Sequence, residues 1–254
     1  MEFPDFSLTN KVALLTGGDK GIGQGIAVAM AHAGASVAFT TRHLPRAKET
    51  VRMIEELDRS VLALELDVTR VKTIQPVVDQ VVERFGRIDV LVNNAGLNVP
   101  QDPFAVTEEV WDTVYDTNVK GLFFVSQIVG KVMGEQGGGK IVNIASQAGL
   151  VAMPKRAVYC STKAAVIHIT RVLALEWAPL NIQVNSVAPT FVKTPLTAPM
   201  LDDPEFAKYV DDMILLDCLG TPEDVAAAVI YLASPASDLV TGHTLVVDGG
   251  WTIH

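Results

Sequence analysis

The stretch KVALLTGGDKGIG, residues 11–23, decides the fold of this 254-residue chain. Its first six residues form an apolar run with the length of a buried strand, and Gly17–Gly23 forms a glycine-rich turn. The alanine-rich segment 24–34 has the composition of a helix that ends in glycine. A strand, a glycine turn and a helix in this order are typical of the first unit of a nucleotide-binding sheet. Glycines let the backbone approach a pyrophosphate, and the helix N-terminus faces it.

The rest of the chain repeats this alternation. Further strands are predicted at 36–41, 61–66, 88–92, 140–145, 181–187 and 244–247, and helices at 45–58, 69–85, 107–134, 155–178 and 221–234. Because the strands are continuous apolar runs, they predict a parallel sheet that is covered on both faces. We therefore expect an α/β fold: a single Rossmann-type domain spanning 1–254, with a doubly wound parallel sheet of about seven strands and helices on both faces.

Composition narrows the function classes. A net charge of −9 argues against nucleic acid as a partner, because phosphate binding needs a basic surface. No apolar run approaches the roughly 18 residues of a membrane span, and residues 1–10 do not resemble a signal peptide. The two cysteines, Cys160 and Cys218, have no ligand spacing, and neither do the five histidines, so no metal site is predicted. A cytoplasmic protein without membrane contact fits these features best.

Several glycine and polar residues directly follow predicted strands. They are Gly17, Asp67, Asn93, Ser146 and Pro189. In open parallel sheets, ligands bind at the carboxyl ends of the strands, near the point where the strand order reverses. These residues are therefore expected to meet at one edge of the sheet and to form the site there.

Ser146, Tyr159 and Lys163 predict the chemistry of that site. Tyr159 and Lys163 lie four residues apart, which places them on one face of a helix. A nearby ammonium is expected to lower the pKa of a tyrosine from its usual value of about 10 and so to suit the phenol to proton transfer. The hydroxyl of Ser146, after the fifth strand, is placed to hold a carbonyl or alcohol oxygen beside the phenol. Hydride transfer to or from a nicotinamide needs this arrangement and no metal.

The end of the second strand bears on the cofactor. NAD-binding proteins usually place an acid there for the ribose hydroxyls, whereas this chain has none between Phe39 and His43. Arg42, with Lys20 from the glycine turn, is suited to clamp a 2′-phosphate, which predicts NADP(H) as the preferred cofactor and NAD(H) as a possible one. The alternative is that both are solvated surface cations. Asp67 is suited to accept a hydrogen bond from the adenine amine, or else to cap a helix.

These pieces together resemble the short-chain dehydrogenase/reductase family over essentially the whole chain. The matching motifs are Thr16–Gly23, Asp67-Val68, Asn93-Asn-Ala-Gly96, Asn118 in a Thr-Asn-Val-Lys-Gly segment, Ser146, Tyr159-Cys-Ser-Thr-Lys163 and Val187-Ala-Pro189. Their order and spacing make the resemblance specific. The beginning and end of the chain further resemble a sugar, sugar-acid and polyol subgroup typified by gluconate 5-dehydrogenase.

The resemblance implies roles for individual residues. It makes Tyr159 the acid/base, Lys163 the group that lowers its pKa and binds the nicotinamide ribose, and Ser146 the holder of the reacting oxygen. It makes Asn118 a helix kink that holds a water of a proton relay. The cofactor contacts implied by the turn chemistry and the resemblance are Gly17, Lys20, Gly21, Ile22, Gly23, Arg42, Asp67, Val68, Asn94, Ala95, Gly96, Tyr159, Lys163, Pro189, Val192 and Thr194. Family members usually have glycine after the proline at 189, where this chain has Thr190.

Loops are expected to select the substrate. The predicted lining is Asn98, Gln147, Leu150, Met153, Pro154, Phe191 and the insertion that follows. That insertion, about 194–216, looks like a mobile amphipathic lid with an acidic character carried by Asp202, Asp203, Glu205, Asp211, Asp212 and Asp217.

These features predict an NADP(H)-dependent enzyme that interconverts a carbonyl and a secondary alcohol on a small polar substrate, such as a sugar, a sugar acid or a polyol. A 3-oxoacyl-(acyl-carrier) reductase and a non-catalytic nucleotide-sensing protein are the alternatives. The acidic lid disfavours the first, and the retained tyrosine and lysine disfavour the second. The resemblance also implies a homotetramer assembled through the helices at 107–134 and 155–178 and the apolar C-terminus, Trp251–His254.

Overall fold

Seven parallel strands form one sheet at the centre of the protein. The computed structural model describes residues 3–194 and 197–253. The strands are β1 (Val12–Thr16), β2 (Ser36–Thr41), β3 (Val61–Glu65), β4 (Val90–Asn93), β5 (Gly139–Ile144), β6 (Ile182–Pro189) and β7 (Thr244–Val247). Their order in the sheet is β3-β2-β1-β4-β5-β6-β7, and every pairing is parallel. The predicted doubly wound sheet is confirmed, and its order reverses between β1 and β4.

Helices cover both faces of the sheet. They are α1 (Gly21–His32), α2 (Lys48–Glu55), α3 (Ile74–Phe85), α4 (Glu108–Tyr115), α5 (Leu122–Glu135), α6 (Ala157–Trp177), α7 (Ala198–Leu201), α8 (Pro204–Met213) and α9 (Pro222–Ala233). One apolar cluster joins α1 and α9 to one face, where Ile26 and Val229 are fully buried. A second cluster joins α3, α5 and α6 to the other face, where Val81 and Val129 are fully buried. This two-sided burial explains why the strands are apolar without alternation.

The helix predicted over 107–134 is not continuous. Thr107 caps α4 by accepting a hydrogen bond from the Val110 backbone N–H, as its position predicts. Between α4 and α5, however, Asp116–Gly121 forms a π-helical segment. A π-helical turn is uncommon and is often found at functional sites. Hydrophobic periodicity could not reveal it, because a single wide turn hardly changes the pattern of apolar residues.

The insertion after β6 and the C-terminus also differ from expectation. The described part of the insertion is more regular than predicted, since α7 and α8 occupy most of it. Trp251, expected to be available to an interface, is 1% exposed and packs on Phe191 and Tyr209. Ile253 remains exposed, and His254 lies outside the described residues. The side chain of Trp251 therefore packs in the core of the insertion.

One helical stretch in the described residues is long and apolar enough, by length and composition alone, to cross a membrane. It is Ala157–Leu180, which consists of α6 and the turn after it. The same helix packs along β6, and Val166 and Thr170 are fully buried in its inner face. A core helix of a sheet protein passes the same test, so the stretch is weak evidence for a span.

Candidate active site

The glycine turn and the loop after β4 are tied together at the reversal point of the sheet. The hydroxyl of Thr16 accepts hydrogen bonds from the backbone N–H groups of Asn94 (3.0 Å) and Ala95 (3.1 Å). The Asn94 amide donates to the Gly17 carbonyl at 2.8 Å. A Cβ built on Gly23 would lie 2.0 Å from that same carbonyl, so only glycine fits there. The close approach of the two loops thus depends on residue types that the sequence singled out.

Arg42 and Asp67 lie at the adenosine end of the same cleft. The Gly18 N–H donates to the Thr40 carbonyl, which holds the end of β2 beside the glycine turn. Burial acts to raise the pKa of Asp67, but hydrogen bonds from Thr69 and the charges of Arg42 and Arg70 outweigh it, so the pKa lies below its usual value. Asp67 is therefore an ionised hydrogen-bond acceptor at neutral pH. Its bonds with Thr69 form a local turn and do not cap a helix, because the short helix that follows begins at Val71 and has no side-chain cap.

Ser146 lies two residues after the end of β5 and is held by its neighbours. Its hydroxyl donates to the side-chain carbonyl of Gln147 at 2.7 Å and accepts from the Ala148 N–H at 3.1 Å. Gln147 is 2% exposed, and its amide nitrogen lies 3.7 Å from the sulfur of Met153. Gln147 was expected to bind substrate hydroxyls, but the structure uses its amide to orient Ser146.

Tyr159 and Lys163 share one face of α6, as their spacing predicts. Burial raises the pKa of the Tyr159 phenol, an effect that its hydrogen bond with Ser146 only partly offsets. Burial also lowers the pKa of Lys163 to about 8. The ammonium donates to the Ile144 carbonyl at 2.7 Å and lies 5.7 Å from the Tyr159 ring centre. The expectation that this pair alone would lower the tyrosine pKa is not met, because desolvation dominates both groups.

Asn118 lies one layer behind these residues, in the π-helical segment. Its amide donates to the Leu97 carbonyl (2.9 Å) and to the Thr162 hydroxyl (3.1 Å). Its side-chain oxygen accepts from the Leu97 N–H at 2.9 Å. Asn118 therefore interrupts the helix, as the resemblance implied, and it also anchors the loop after β4 to α6. This anchoring role was not predicted from the sequence.

Two side-chain oxygens in the cleft lack a hydrogen-bond partner among residues 3–194 and 197–253. They are the hydroxyl of Thr190 and the amide oxygen of Asn98. A buried polar atom without a partner is unfavourable by roughly 1–3 kcal/mol, so such atoms are typical of surfaces completed by a ligand. At position 190, where glycine is usual in the family, this chain therefore has a buried hydroxyl without a partner, in a residue that lines the cleft.

A single cleft contains nearly all of the predicted catalytic and cofactor-binding residues. Its lining includes the glycine turn, Arg42, Asp67-Val68, Asn94–Gly96, Ser146, Tyr159, Lys163, Pro189 and Thr194. Two residues of that set are not part of the lining, since Asn118 lies behind the cleft and the Val192 side chain is 2% exposed in the apolar core. Of the six single residues predicted to line the substrate, only Asn98 lines this cleft; the others are Gln147, Leu150, Met153, Pro154 and Phe191.

The chain's own groups fit a dinucleotide. No side chain caps α1, whose N-terminal residue Gly21 lines the cleft, so its first N–H groups face a position suited to a pyrophosphate. The glycines of the turn also let it pack closely on its neighbours, since a Cβ on Gly18 would lie 2.7 Å from the Phe39 side chain. Arg42 and Lys20 supply positive charge at one end, and Tyr159 and Lys163 stand at the other.

One residue near Tyr159 was missed by the sequence analysis. Arg156 is 6% exposed, although arginine is seldom buried without an ionic partner. It precedes Tyr159 by three residues at the start of α6, and this spacing was the available signal. Its guanidinium lies 4.8 Å from the Phe206 ring centre and donates to the Pro154 carbonyl at 3.1 Å.

The doubly wound sheet, the uncapped helix behind a glycine turn and the Ser-Tyr-Lys group define a dinucleotide-dependent oxidoreductase. A sequence profile described as enoyl-(acyl carrier protein) reductase matches residues 17–252. The chain belongs to the short-chain dehydrogenase/reductase family, whose members bind NAD or NADP, and it is an enzyme of that family.

Relatives of similar identity carry different substrate names. An NAD-dependent glycerol dehydrogenase of Listeria innocua is 39% identical over 98% of this chain and 96% of that protein. A 2-dehydro-3-deoxy-D-gluconate 5-dehydrogenase of Dickeya dadantii is 40% identical over 97% of both chains. A 3-oxoacyl-[acyl-carrier-protein] reductase of Thermotoga maritima is also 40% identical, over 97% of this chain and 99% of that protein.

A solved structure supports the same placement. The crystal structure of a gluconate 5-dehydrogenase from Burkholderia cenocepacia in complex with NADP and tartrate matches with a TM-score of 0.95. It is 34% identical and covers 99% of this chain and 98% of its own. The likeness extends over the whole chain, including the described insertion.

Proposed function

We propose that this enzyme interconverts a carbonyl and a secondary alcohol on a small polar substrate, a sugar, sugar acid or polyol, with NADP(H) as the cofactor. The observation that carries the proposal is the convergence of Ser146, Tyr159 and Lys163 in the cleft that also contains the uncapped N-terminus of α1. Sugar and polyol names among the relatives support the substrate class.

Each of the three side chains has a distinct part in the reaction. The bound nicotinamide supplies or accepts the hydride. Tyr159 gives its proton to the carbonyl oxygen in reduction and takes it back in oxidation, while the hydroxyl of Ser146 holds that oxygen. In this proposal Lys163, whose pKa burial lowers to about 8, supplies a positive charge on the same face of α6 when it is protonated. A positioned acid of this kind contributes roughly 10²–10⁴ in rate.

The polar substrate class agrees with the cleft itself. Asn98 and Thr190 line the cleft, and in this proposal their buried, unpartnered oxygens accept hydrogen bonds from substrate hydroxyl groups that reach them. The insertion at about 194–216 serves in this proposal as the lid of the single domain. In its described part, Phe206 and Tyr209 turn inward onto Trp251 and Phe191, while the acids, such as Asp211, face outward.

NADP(H) is proposed over NAD(H) because of the charges at the end of β2. Arg42 is exposed at the cleft, and no carboxylate follows β2 to bind ribose hydroxyls. A planar guanidinium suits a 2′-phosphate, and Lys20 lines the same end of the cleft. The neighbour in complex with NADP supports this choice, whereas the glycerol dehydrogenase relative is named for NAD.

A 3-oxoacyl-(acyl-carrier) reductase is the second candidate, favoured by the Thermotoga maritima relative. An acidic carrier protein would have to dock beside the lid, where Asp202, Asp203 and Glu205 are exposed. Like charges disfavour that contact, so the small polar substrate is the stronger proposal. A non-catalytic nucleotide sensor, the third class, would bind NADPH without turning over any carbonyl.

Replacing Tyr159 with phenylalanine tests the mechanism. We expect Tyr159→Phe to reduce kcat by at least about 10³-fold, because the proton donor is lost, while NADPH binding stays within a few-fold. Absorbance at the nicotinamide band measures turnover over keto-sugars, diketones and 3-oxoacyl esters, and NADPH fluorescence measures binding. Tyr231→Phe, on α9 and away from the cleft, is the matched control. Activity near that of the unaltered enzyme in Tyr159→Phe would refute the mechanism.

A further inference from the structure

Arg156 presents a buried positive charge that no carboxylate neutralises within the described ranges. Its side chain is 6% exposed. The ionisable groups close enough to act on it are Cys160, Tyr159 and Tyr209, all of which are neutral in their ordinary state near pH 7. Burial lowers the pKa of the guanidinium, yet arginine remains protonated at neutral pH. A buried charge without a counter-ion is unfavourable by several kcal/mol, so an anion that reached it would be strongly favoured.

The donors of this guanidinium are only partly used. One nitrogen donates to the Pro154 carbonyl at 3.1 Å, and another lies 3.5 Å from the sulfur of Met200, a weak acceptor. The ring of Phe206 lies over the guanidinium carbon. Arginine has five N–H donors in a planar fork, so the group retains capacity for a bidentate acceptor. Its present covers, Met200 and Phe206, are neutral side chains of the insertion.

The position of Arg156 relates it directly to the reacting centre. It directly precedes α6, and its charge lies close enough to act on the phenol of Tyr159, three residues further on. Its charge also acts to lower the pKa of Tyr159, against the larger effect of burial. A substrate whose oxygen is held by Tyr159 and Ser146 would therefore extend toward Arg156 under the insertion.

We infer that Arg156 binds a carboxylate of the substrate, so that the enzyme acts on hydroxy or oxo acids in preference to neutral polyols. The inference rests on the proposed function and narrows its substrate class. The carboxylate replaces the weak contacts of Met200 and Phe206 with charge-assisted hydrogen bonds. A structural role, in which Arg156 merely joins α6 to the insertion, predicts no dependence on the charge of the substrate.

The test uses substrate pairs that differ only in one terminal group. D-Gluconate is compared with D-sorbitol, and D-glycerate with glycerol. For each pair we would measure the rate of NADP⁺-dependent oxidation and the thermal stabilisation of the full chain with NADP⁺ bound. We expect the unaltered enzyme to favour the acid of at least one pair by about 100-fold in kcat/KM or in binding constant. In Arg156→Gln this acid-to-polyol ratio should fall to within a few-fold of unity. Arg156→Lys should retain part of it through charge alone.

Lys155→Gln is the matched control, since it removes one exposed positive charge from the adjacent residue. It should leave the acid-to-polyol ratio unchanged. Equal losses for acid and polyol in Arg156→Gln, or a preference of the unaltered enzyme for the polyols, would overturn the inference and leave the proposed oxidoreductase function standing. An enzyme that binds NADPH but turns over no carbonyl or alcohol would refute the proposed function instead. In that case the thermal stabilisation measurement still tests the inference about Arg156. If neither acid stabilises the protein more than its matched polyol does, the inference is contradicted.

Discussion

At Lys163 the burial of the side chain disfavours the positive charge that the proposed mechanism requires. Its ammonium is enclosed by the sheet edge and α6 and has one strong hydrogen bond, to the Ile144 carbonyl. Burial lowers its pKa to about 8, which means that the folded protein holds this proton less tightly than the unfolded chain does. The charge therefore reduces stability at neutral pH, and it lies where the proposed mechanism needs a cation.

This opposition predicts a stability that depends on pH. The pKa of Lys163 is lower in the folded protein than in the unfolded chain, where it is near 10.5, so its unfavourable contribution is full below about pH 8 and disappears as pH rises toward 10.5. We expect the unfolding free energy of the unaltered enzyme, relative to Lys163→Met, to rise by about 2 kcal/mol between pH 7 and pH 10. Urea unfolding at both pH values measures the difference. A flat or falling difference would contradict the lowered pKa.

Arg42 carries the second prediction at this scale. Because the proposal assigns a 2′-phosphate to its guanidinium, Arg42→Ala should weaken NADPH binding by about 10–100-fold and leave NADH binding nearly unchanged. Fluorescence titration of both dinucleotides gives the two dissociation constants. Arg46→Ala removes an exposed arginine four residues away and should change neither. Tighter binding of NADH than of NADPH by the unaltered enzyme would show that NAD(H) is the preferred cofactor.

Single residues differ in how well the sequence alone could place them. Ser146, Tyr159 and Lys163 were predictable because helical spacing and strand ends are local properties. The raised pKa of Tyr159 was not, since it depends on burial by groups that are distant in sequence. Arg156 was missed for the same reason, because an arginine at the start of a predicted helix reads as a solvated cation until the insertion is seen to cover it.

At the scale of elements, the π-helical segment Asp116–Gly121 connects the two halves of the site. The extra residue in its turn places Asn118 inward, where its amide holds both backbone groups of Leu97 and the Thr162 hydroxyl. Thr162 lies on α6 between Tyr159 and Lys163. The segment therefore links the dinucleotide loop after β4 to the helix that carries the proposed acid/base.

Removing this link should destabilise the protein. Asn118→Ala leaves the Leu97 N–H and carbonyl without their buried partner, so we expect a loss of about 2–4 kcal/mol in unfolding free energy, together with weaker NADPH binding. Asp116→Asn, in the same π-helical segment, breaks an exposed ion pair with Lys120 and should cost less than about 1 kcal/mol. Urea unfolding compares the two variants. Equal effects would show that the segment matters only as a helix and not through Asn118.

The pattern of apolar residues predicts the strands well and the short helices of the insertion poorly. The strands were predicted to within about two residues at each end, because a buried parallel strand is a short apolar run between turns. The insertion was predicted as irregular, yet α7 and α8 form there, and Asp203 caps α8 by accepting from the Glu205 N–H. Short helices with few apolar residues are stabilised by tertiary packing, here on Trp251, which no local pattern reveals.

At the scale of the whole molecule, α6 is apolar on two sides. Its inner side packs on the sheet, but Val172 and Leu175 are 44% and 76% exposed on its outer side, and Leu180 follows them at 45%. Adjacent apolar residues that stay exposed on a helix are typical of a surface that binds another protein chain. The resemblance implies a homotetramer built through this helix and the segment around α4 and α5, which fits the exposed Trp111 on α4.

We therefore propose that α6 pairs with its counterpart in a second copy of the chain. Light scattering coupled to size exclusion should give a mass four times the 27.3 kDa of one chain. Leu175→Glu places a charge in the centre of the apolar surface, and the cost of burying it should shift the enzyme to dimers or monomers at micromolar concentration. Leu44→Glu, at an exposed position after β2, introduces the same charge away from α6 and should keep the mass of the unaltered enzyme. A monomeric unaltered enzyme, or identical masses for both variants, would count against α6 as an interface. Since α6 also carries Tyr159 and Lys163, a smaller species with reduced turnover would further indicate that assembly steadies the reacting centre.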